Sequence, residues 1–220
     1  LKYFPSIPHD RLMKIFCSEF ADTRLKNLLS QVIDSYHTDI EYLENYGYDC
    51  LTPDPARSGR GIPIGNQTSQ VFGMFYLNPV DRLVKERLRV KVYSRYMDDF
   101  VLVHCDKEFL RYALSEITEK VTALGLKFNS KTQICPLKNG VTYLGFRYFV
   151  TPQGKLVKTV KKQTKKRLRW RARLLKKASL DGIITPERVR QSLAAFHGHL
   201  KHAKAYKLEK ELFLKLKSYS

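Results

Sequence analysis

The sequence predicts an α+β fold: an antiparallel sheet with helices on one face, followed by a small helical domain. Three observations lead there. β-like and helical patterns alternate as strand, helices, hairpin, helix, strand. Beyond residue 154 the pattern becomes helical and basic. The charge divides at the same place, with 20 Lys/Arg against 17 Asp/Glu in residues 1–154 and 20 against 4 in residues 155–220, out of a net +19. Apolar content of 43% and charged content of 28% suit a chain of 220 residues that buries a core.

Taken in order, LKYFPSI reads as the end of a strand, followed by helices from about Asp10 and from Thr23 to Thr38. Residues 45–60 (NYGYDCLTPDPARSGR) are rich in Gly, Pro and Asp and read as a loop. GIPIGNQTSQ leads into a helix with Thr68 or Ser69 as its cap and Val71, Phe72 and Phe75 on one face. Asn78-Pro79 breaks it, and a second helical piece runs from Val80 to about Leu88. Two strands follow, about Lys91–Met97 and Phe100–Cys105. Asp106 then caps a helix whose apolar positions are Phe109, Ala113, Ile117, Val121 and Leu124, stopped by Gly125. KFNSKTQI and VTYLGFRYFV read as further strands. This order is that of a ferredoxin-like split βαβ unit. PQGK is a turn, and Lys155–Ala178 reads as a helix with twelve Lys/Arg and no acid. Thr185-Pro186 starts a second helix and Tyr206 a third.

Several classes are excluded early. No apolar run reaches membrane-span length, and no secretory pattern is present. Cys17, Cys50, Cys105 and Cys135 are far apart, without a CxxC pair, which argues against a zinc site or a disulfide framework and suits a reducing cytoplasm. The HGHLKH cluster (His197, His199, His202) lacks a cysteine or acidic neighbour and reads as a phosphate-facing helix end rather than a zinc site. The excess of Lys/Arg in the last third points to a polyanion, and nucleic acid fits better than a membrane because no apolar face recurs there.

Asp98 and Asp99, within SRYMDDFVLV, are the sharpest chemical signal. Neighbouring carboxylates raise each other's pKa unless a cation joins them. At the tip of a hairpin they are displayed to solvent on a backbone held by strand pairing. Hard cations such as Mg²⁺ take oxygen ligands of this kind and keep water for substrate phosphates. Asp-Asp alone is usually a solvated turn; Tyr-x-Asp-Asp between buried strands is far more specific.

With these residues in hand, the chain resembles the reverse transcriptases over nearly its whole length. SRYMDDFVLV resembles the family's metal-binding hairpin, and GIPIGNQTSQ its nucleotide- and template-contacting loop and helix. GLKFNSKT (Gly125–Thr132) is similar to the helix–strand motif that follows, YLGF to the primer grip, and LKYFPSIPH to the end of the first catalytic motif. The resemblance implies a palm with partial fingers over residues 1–154 and a basic helical thumb over 155–220. It implies that Asp98 and Asp99 hold two Mg²⁺ ions, with Mn²⁺ as a substitute. It places Phe4, Ile64, Gly65, Gln67, Tyr96, Met97 and Lys131 around the nucleotide, Phe4 as the gate against a ribose 2′-hydroxyl and Lys131 beside the leaving pyrophosphate. Tyr143, Leu144, Gly145 and Phe146 become the primer grip. Lys158, Lys161, Lys162, Lys165, Lys166, Arg169 and Arg173 become phosphate contacts.

The family's first Asp would fall two residues before Leu1, and Asp10 belongs to a helix start instead. On that reading the chain is an N-terminally truncated polymerase, inactive alone. An apolar Ile64 within IGNQTSQ, together with FHGHLKHAKAYKL, is similar to enzymes of diversity-generating retroelements, a type linked to error-prone copying. A group II intron or retron type, or a non-catalytic maturase-like RNA-binding remnant, stays open as an alternative. Retron enzymes match less well, since Val150-Thr151 is followed by Pro152. The implied partners are a structured template RNA, the RNA–DNA heteroduplex, dNTPs and a small basic oligomeric accessory protein, in the cytoplasm of a bacterium or phage host.

Overall fold

The computed structural model describes residues 3–50, 54 and 56–216. Leu1 and Lys2 of the expected first strand, and Leu51–Pro53 with Pro55 of the long loop, lie outside them. The chain is a mixed helix-and-strand protein with small antiparallel sheets, divided into two compact units, Leu1–Ile134 and Cys135–Ser220. This structural boundary precedes the charge boundary at residue 154, so the first unit holds 18 Lys/Arg against 17 Asp/Glu and the second 22 against 4.

In the first unit, helices α1 (His9–Glu19), α2 (Thr23–Asp34) and α3 (Ile40–Glu44) precede the loop. Asp22 and Asp39 cap α2 and α3 by accepting from backbone N–H groups, and Asp10 lies in the first turn of α1, where a carboxylate suits the helix N-terminus. The described part of the N-terminal segment is a 3₁₀ turn, Phe4–Ser6, and not a strand. Pro5 at its start accounts for this, because it fixes φ and offers no donor to a ladder. The segment is still held in place: Ile62 N–H donates to Phe4 C=O (3.1 Å) and Gly61 N–H to Ile7 C=O (2.8 Å). Buried Arg60 donates to the carbonyls of Asp49, Ser6 and Gly125 at 2.9–3.2 Å, tying loop, N-terminal segment and helix end together.

Helix α4 (Gln67–Tyr76) begins two residues earlier than a Thr68 cap allows. Asn66 is its N-cap residue, and Ser69 is buried inside the helix. Its inward face is Phe72, Gly73 and Tyr76, with Phe75 partly buried, whereas Val71 is 48% exposed. Pro79 ends α4 as expected. α5 (Asn78–Arg82) then runs into a π-helical turn, Leu83–Arg87, closed by Leu88 N–H on Leu83 C=O. Strands β1 (Val92–Tyr96) and β2 (Asp99–Val103) pair antiparallel, with Tyr93 opposite Leu102 and Tyr96 opposite Asp99. Helix α6 (Lys107–Ala123) is capped by Asp106, which accepts from Glu108 N–H at 2.8 Å. Gly125 ends it at φ +72°, where a Cβ would lie 2.6 Å from the Arg11 guanidinium. Ile7, Leu12, Phe16, Phe72, Tyr76, Val80, Ile117 and Val121 form the core. Lys127–Ile134 is not a strand: the Asn129 side chain accepts from Lys131 N–H (2.8 Å) and turns the backbone out of line.

The second unit contains the three-stranded sheet β3 (Val141–Tyr143), β4 (Phe146–Val150) and β5 (Leu156–Val160). VTYLGFRYFV is thus a hairpin and not one strand. Leu144 (φ +47°) and Gly145 (φ +82°) form its turn, the pair of positive φ values that two-residue hairpins need. The expected basic helix also starts later, because Val157, Thr159 and Val160 are β-branched and pair with β4. The antiparallel pairing expected of one sheet is therefore spread over two small ones, one per unit. Helix α7 spans Lys162–Leu180; α8 (Pro186–Leu200) has Thr185 as a capping acceptor, and α9 is Tyr206–Leu216. Leu168, Ala172, Val189, Leu193, Phe196 and Leu212 pack between them.

The corrected face of α4 gives a stability test. Phe72→Ala is expected to cost about 3–5 kcal/mol in urea unfolding, since its ring is buried against Phe16. Val71→Ala, one residue away but exposed, is expected to change stability by under about 0.5 kcal/mol.

Candidate active site and nucleic-acid surface

Strand periodicity places the functional side chains of the hairpin. Tyr93 and Arg95 share a face with Phe100 and Leu102, which pack on the core; Tyr96 and Asp99 lie on the other face. Phe100 also meets Phe128 edge-on, with ring centroids 5.8 Å apart. Met97 and Asp98 form the two-residue turn. Met97 adopts φ +54°, a left-handed conformation that costs a side-chain-bearing residue about 1–2 kcal/mol. Asp98, Asp99 and Tyr96 are exposed, Tyr96 by 60%. The Asp98 carboxyl is held above the usual carboxylate range, first by loss of water around the turn and then by the charge of Asp99.

No salt bridge ties either carboxylate to a described cation, and no group of three His, Cys, Asp or Glu side chains that could hold a metal occurs among the described residues. Two unpaired oxygen donors side by side fit a hard divalent cation that completes its shell with water and substrate. They do not by themselves enclose one.

The arginine beneath the turn is already engaged. Arg95, with a side chain only 10% exposed, donates from Nε to both Asp81 oxygens (2.8 and 3.0 Å) and from a terminal nitrogen to Asp81 Oδ2. It also reaches the carbonyls of Met97 and Met74, each at 3.1 Å, and Tyr93 Oη donates to Asp81 at 2.6 Å. Sequence reasoning passed over Arg95, Asp81 and Tyr93. The available signal was the period-2 alternation, which puts an arginine on a core-facing position where it needs a buried partner.

The predicted nucleotide residues fall into two sets. Phe4 is half-buried and lies against α4, where Gly73 has no side chain: a Cβ there would meet Phe4 at 3.0 Å and Tyr3 at 3.2 Å. Tyr3 Oη donates to Gly73 C=O at 2.6 Å. Through Ile62, Phe4 is also joined to the segment that carries Ile64, which is 67% exposed, and Gly65, at φ +106° with open space around it. Gln67 is the exposed first residue of α4. Lys131 is exposed on its Asx turn.

In the second unit the predicted primer-grip residues are the β3–β4 turn. Phe146 is sandwiched: Lys158 Nζ, on β5, lies 4.2 Å from its ring centroid, and His199 stacks on it at 5.4 Å. His197 meets Glu209, so His197 and His199 are engaged within the unit, whereas His202 is exposed. Lys162, Lys166 and Arg173 are exposed on α7; Lys165 is half-exposed, and Lys161 is the N-cap residue. Arg169 differs from them, because it forms a bidentate pair with Glu211 on α9 at 2.9–3.2 Å and joins the two helices.

The Phe4 packing can be tested directly. Gly73→Ala is expected to destabilise the first unit by about 1–2 kcal/mol despite alanine's better helix propensity, because the methyl must displace two packed rings. In a Phe4→Leu background the penalty is expected to shrink, and paired denaturation curves would show it.

No curated protein matches the chain. Residues 2–148, two thirds of the sequence, match the reverse transcriptase (RNA-dependent DNA polymerase) family, a match that takes in the aspartate hairpin, the α4 loop and the β3–β4 turn. With a two-strand hairpin displaying Asp98 and Asp99 and a family match that spans it, the chain belongs to the reverse transcriptases.

Proposed function

We propose that this chain is the palm and thumb of an RNA-directed DNA polymerase that copies a structured RNA into cDNA, of the type found in diversity-generating retroelements of bacteria and phages. The observation that carries the polymerase reading is the display of two exposed carboxylates, unpaired with any described cation, on a hairpin whose other face is packed. Asp98 and Asp99 would hold divalent cations there. When bound, Mg²⁺ or Mn²⁺ supplies charge neutralisation at the attacking 3′-oxygen and the leaving pyrophosphate.

The chain's own residues do the rest. Phe4, which packs against Gly73 and accepts from Ile62 N–H, would exclude a 2′-hydroxyl and so favour deoxyribose. Exposed Ile64 brings no hydrogen bond toward a base pair, so geometric selection at that point is loose, in keeping with error-prone copying. Tyr96 and Met97 would flank the primer end and the nucleotide sugar, and Lys131 would screen pyrophosphate. The turn Tyr143–Phe146 would grip the primer. Lys158, Lys161, Lys162, Lys165, Lys166 and Arg173 would meet phosphates, giving sequence-tolerant binding of the heteroduplex. A small basic oligomeric accessory protein would help to hold the template RNA.

The test is Asp99→Asn in the protein as its gene encodes it. Primer extension on RNA with Mg²⁺ and dNTPs is expected to disappear, while heteroduplex affinity stays within about threefold, because phosphate contacts dominate binding. Equal loss of both would favour the RNA-binding alternative. Replacing Lys162, Lys166 and Arg173 by Gln is expected to flatten the dependence of log affinity on log salt, by about 0.7–0.9 for each phosphate that is no longer neutralised.

A further inference from the structure

We infer that Arg95, anchored by Asp81, is a positioning residue that fixes the Met97–Asp98 turn against the end of α4 and so sets where the two carboxylates stand. This rests on reading that turn as the metal-binding site. Arg95 lies two residues before the turn, on the face opposite Tyr96 and Asp99, so it acts from beneath without touching what binds above. Its fork makes three kinds of contact at once: the Asp81 carboxylate on α5, the Met97 carbonyl in the turn and the Met74 carbonyl in the last turn of α4. Carbonyls at a helix C-terminus lack intrahelical donors. Two neighbouring ones here are served by side chains, Gly73 by Tyr3 and Met74 by Arg95. A single guanidinium therefore joins the helix that begins at Gln67 to the turn that carries Asp98.

The turn needs such a restraint. Met97 sits at φ +54° with a side chain that disfavours it, and two like charges follow directly. Both push the tip toward other conformations. A cation close by would ordinarily relieve the charge, but it would then compete with a metal. Asp81 prevents that by neutralising Arg95, and Tyr93 holds Asp81 in turn. Lysine carries the same charge on a flexible stem without the planar fork, so it would not span a carboxylate and two carbonyls together.

Arg95→Lys separates this role from bulk stability. Two readouts are taken on the chain: hydrogen exchange of the Met97, Asp98 and Asp99 amides, and Mn²⁺ binding followed by water-proton relaxation. The variant is expected to keep its helical circular dichroism, to speed exchange at the three turn amides by about tenfold over the rest of β1–β2, and to weaken Mn²⁺ binding by about tenfold. Turn exchange and Mn²⁺ binding both within about twofold of the parent would overturn the inference. If Arg95→Lys does not fold, Asp81→Asn, which frees the arginine from its anchor, is judged by the same limits. Asp99→Asn keeps the two readings distinguishable. If it leaves Mn²⁺ binding by the parent chain unchanged, the metal reading falls, and turn exchange alone decides whether Arg95 holds the turn.

Discussion

Two adjacent carboxylates can be displayed at a hairpin tip only if the backbone beneath them does not yield, and here that resistance comes from the pairing of Arg95 with Asp81. Among the described residues the hairpin's sheet has two strands, and an isolated two-stranded ribbon is marginal in water. Its apolar face, Tyr93, Phe100 and Leu102, holds it to the core, but that packing stops short of the turn. Arg95 extends the restraint to Met97 by way of α5 and α4. Breaking a mostly buried ion pair from one side usually costs several kcal/mol, because a charge is left without its partner. The first unit is thus organised so that a largely buried ion pair lies under its exposed carboxylates.

How much of this was legible beforehand depended on whether local chemistry decided the outcome. Asp106, Thr185 and Gly125 cap or stop helices where their side chains, or the lack of one, dictate. The β1–β2 hairpin followed from alternation on both sides of Asp98-Asp99. Misreadings arose where a short polar group or a proline overrode the apolar pattern. Asn129 turned Lys127–Ile134 out of extension, and Pro5 made a 3₁₀ turn of the N-terminal segment. Leu144-Gly145 hid a hairpin because leucine is an unusual choice at positive φ. Lys158 and its neighbours read as helix through their charge, while β-branched residues in the same segment formed a strand.

The candidate site was legible in what it exposes and not in what supports it. Asp98, Asp99, Ile64 and Gln67 are exposed, and their types in that spacing carry the chemistry. Apart from the bond of Arg95 to the Met97 carbonyl, Arg95, Asp81, Arg60 and Gly73 act through partners 11 to 70 residues away along the chain, which no local pattern reports. Arg169 shows the converse. The resemblance assigned it to phosphate, but its partner is Glu211, one of only four acids in residues 155–220. A charge count cannot tell a cation offered outward from one engaged within the unit.

That distinction bears on how, on the proposed reading, a single chain would hold both divalent cations and a polyanion. Cations that attract phosphate would, if placed beside Asp98 and Asp99, compete with a metal for the same oxygens. The observed partition avoids this. The first unit is nearly balanced, and the arginine at its turn is neutralised by Asp81. The excess of 18 positive charges lies in the second unit, largely on α7 and the strand before it. On the proposed reading, the field that would draw in nucleic acid is thereby built from residues remote in sequence from the carboxylates. The Asp98 carboxyl is raised above the usual range by lost hydration and by the charge of Asp99, and on the proposed reading a divalent cation from solution would relieve that repulsion.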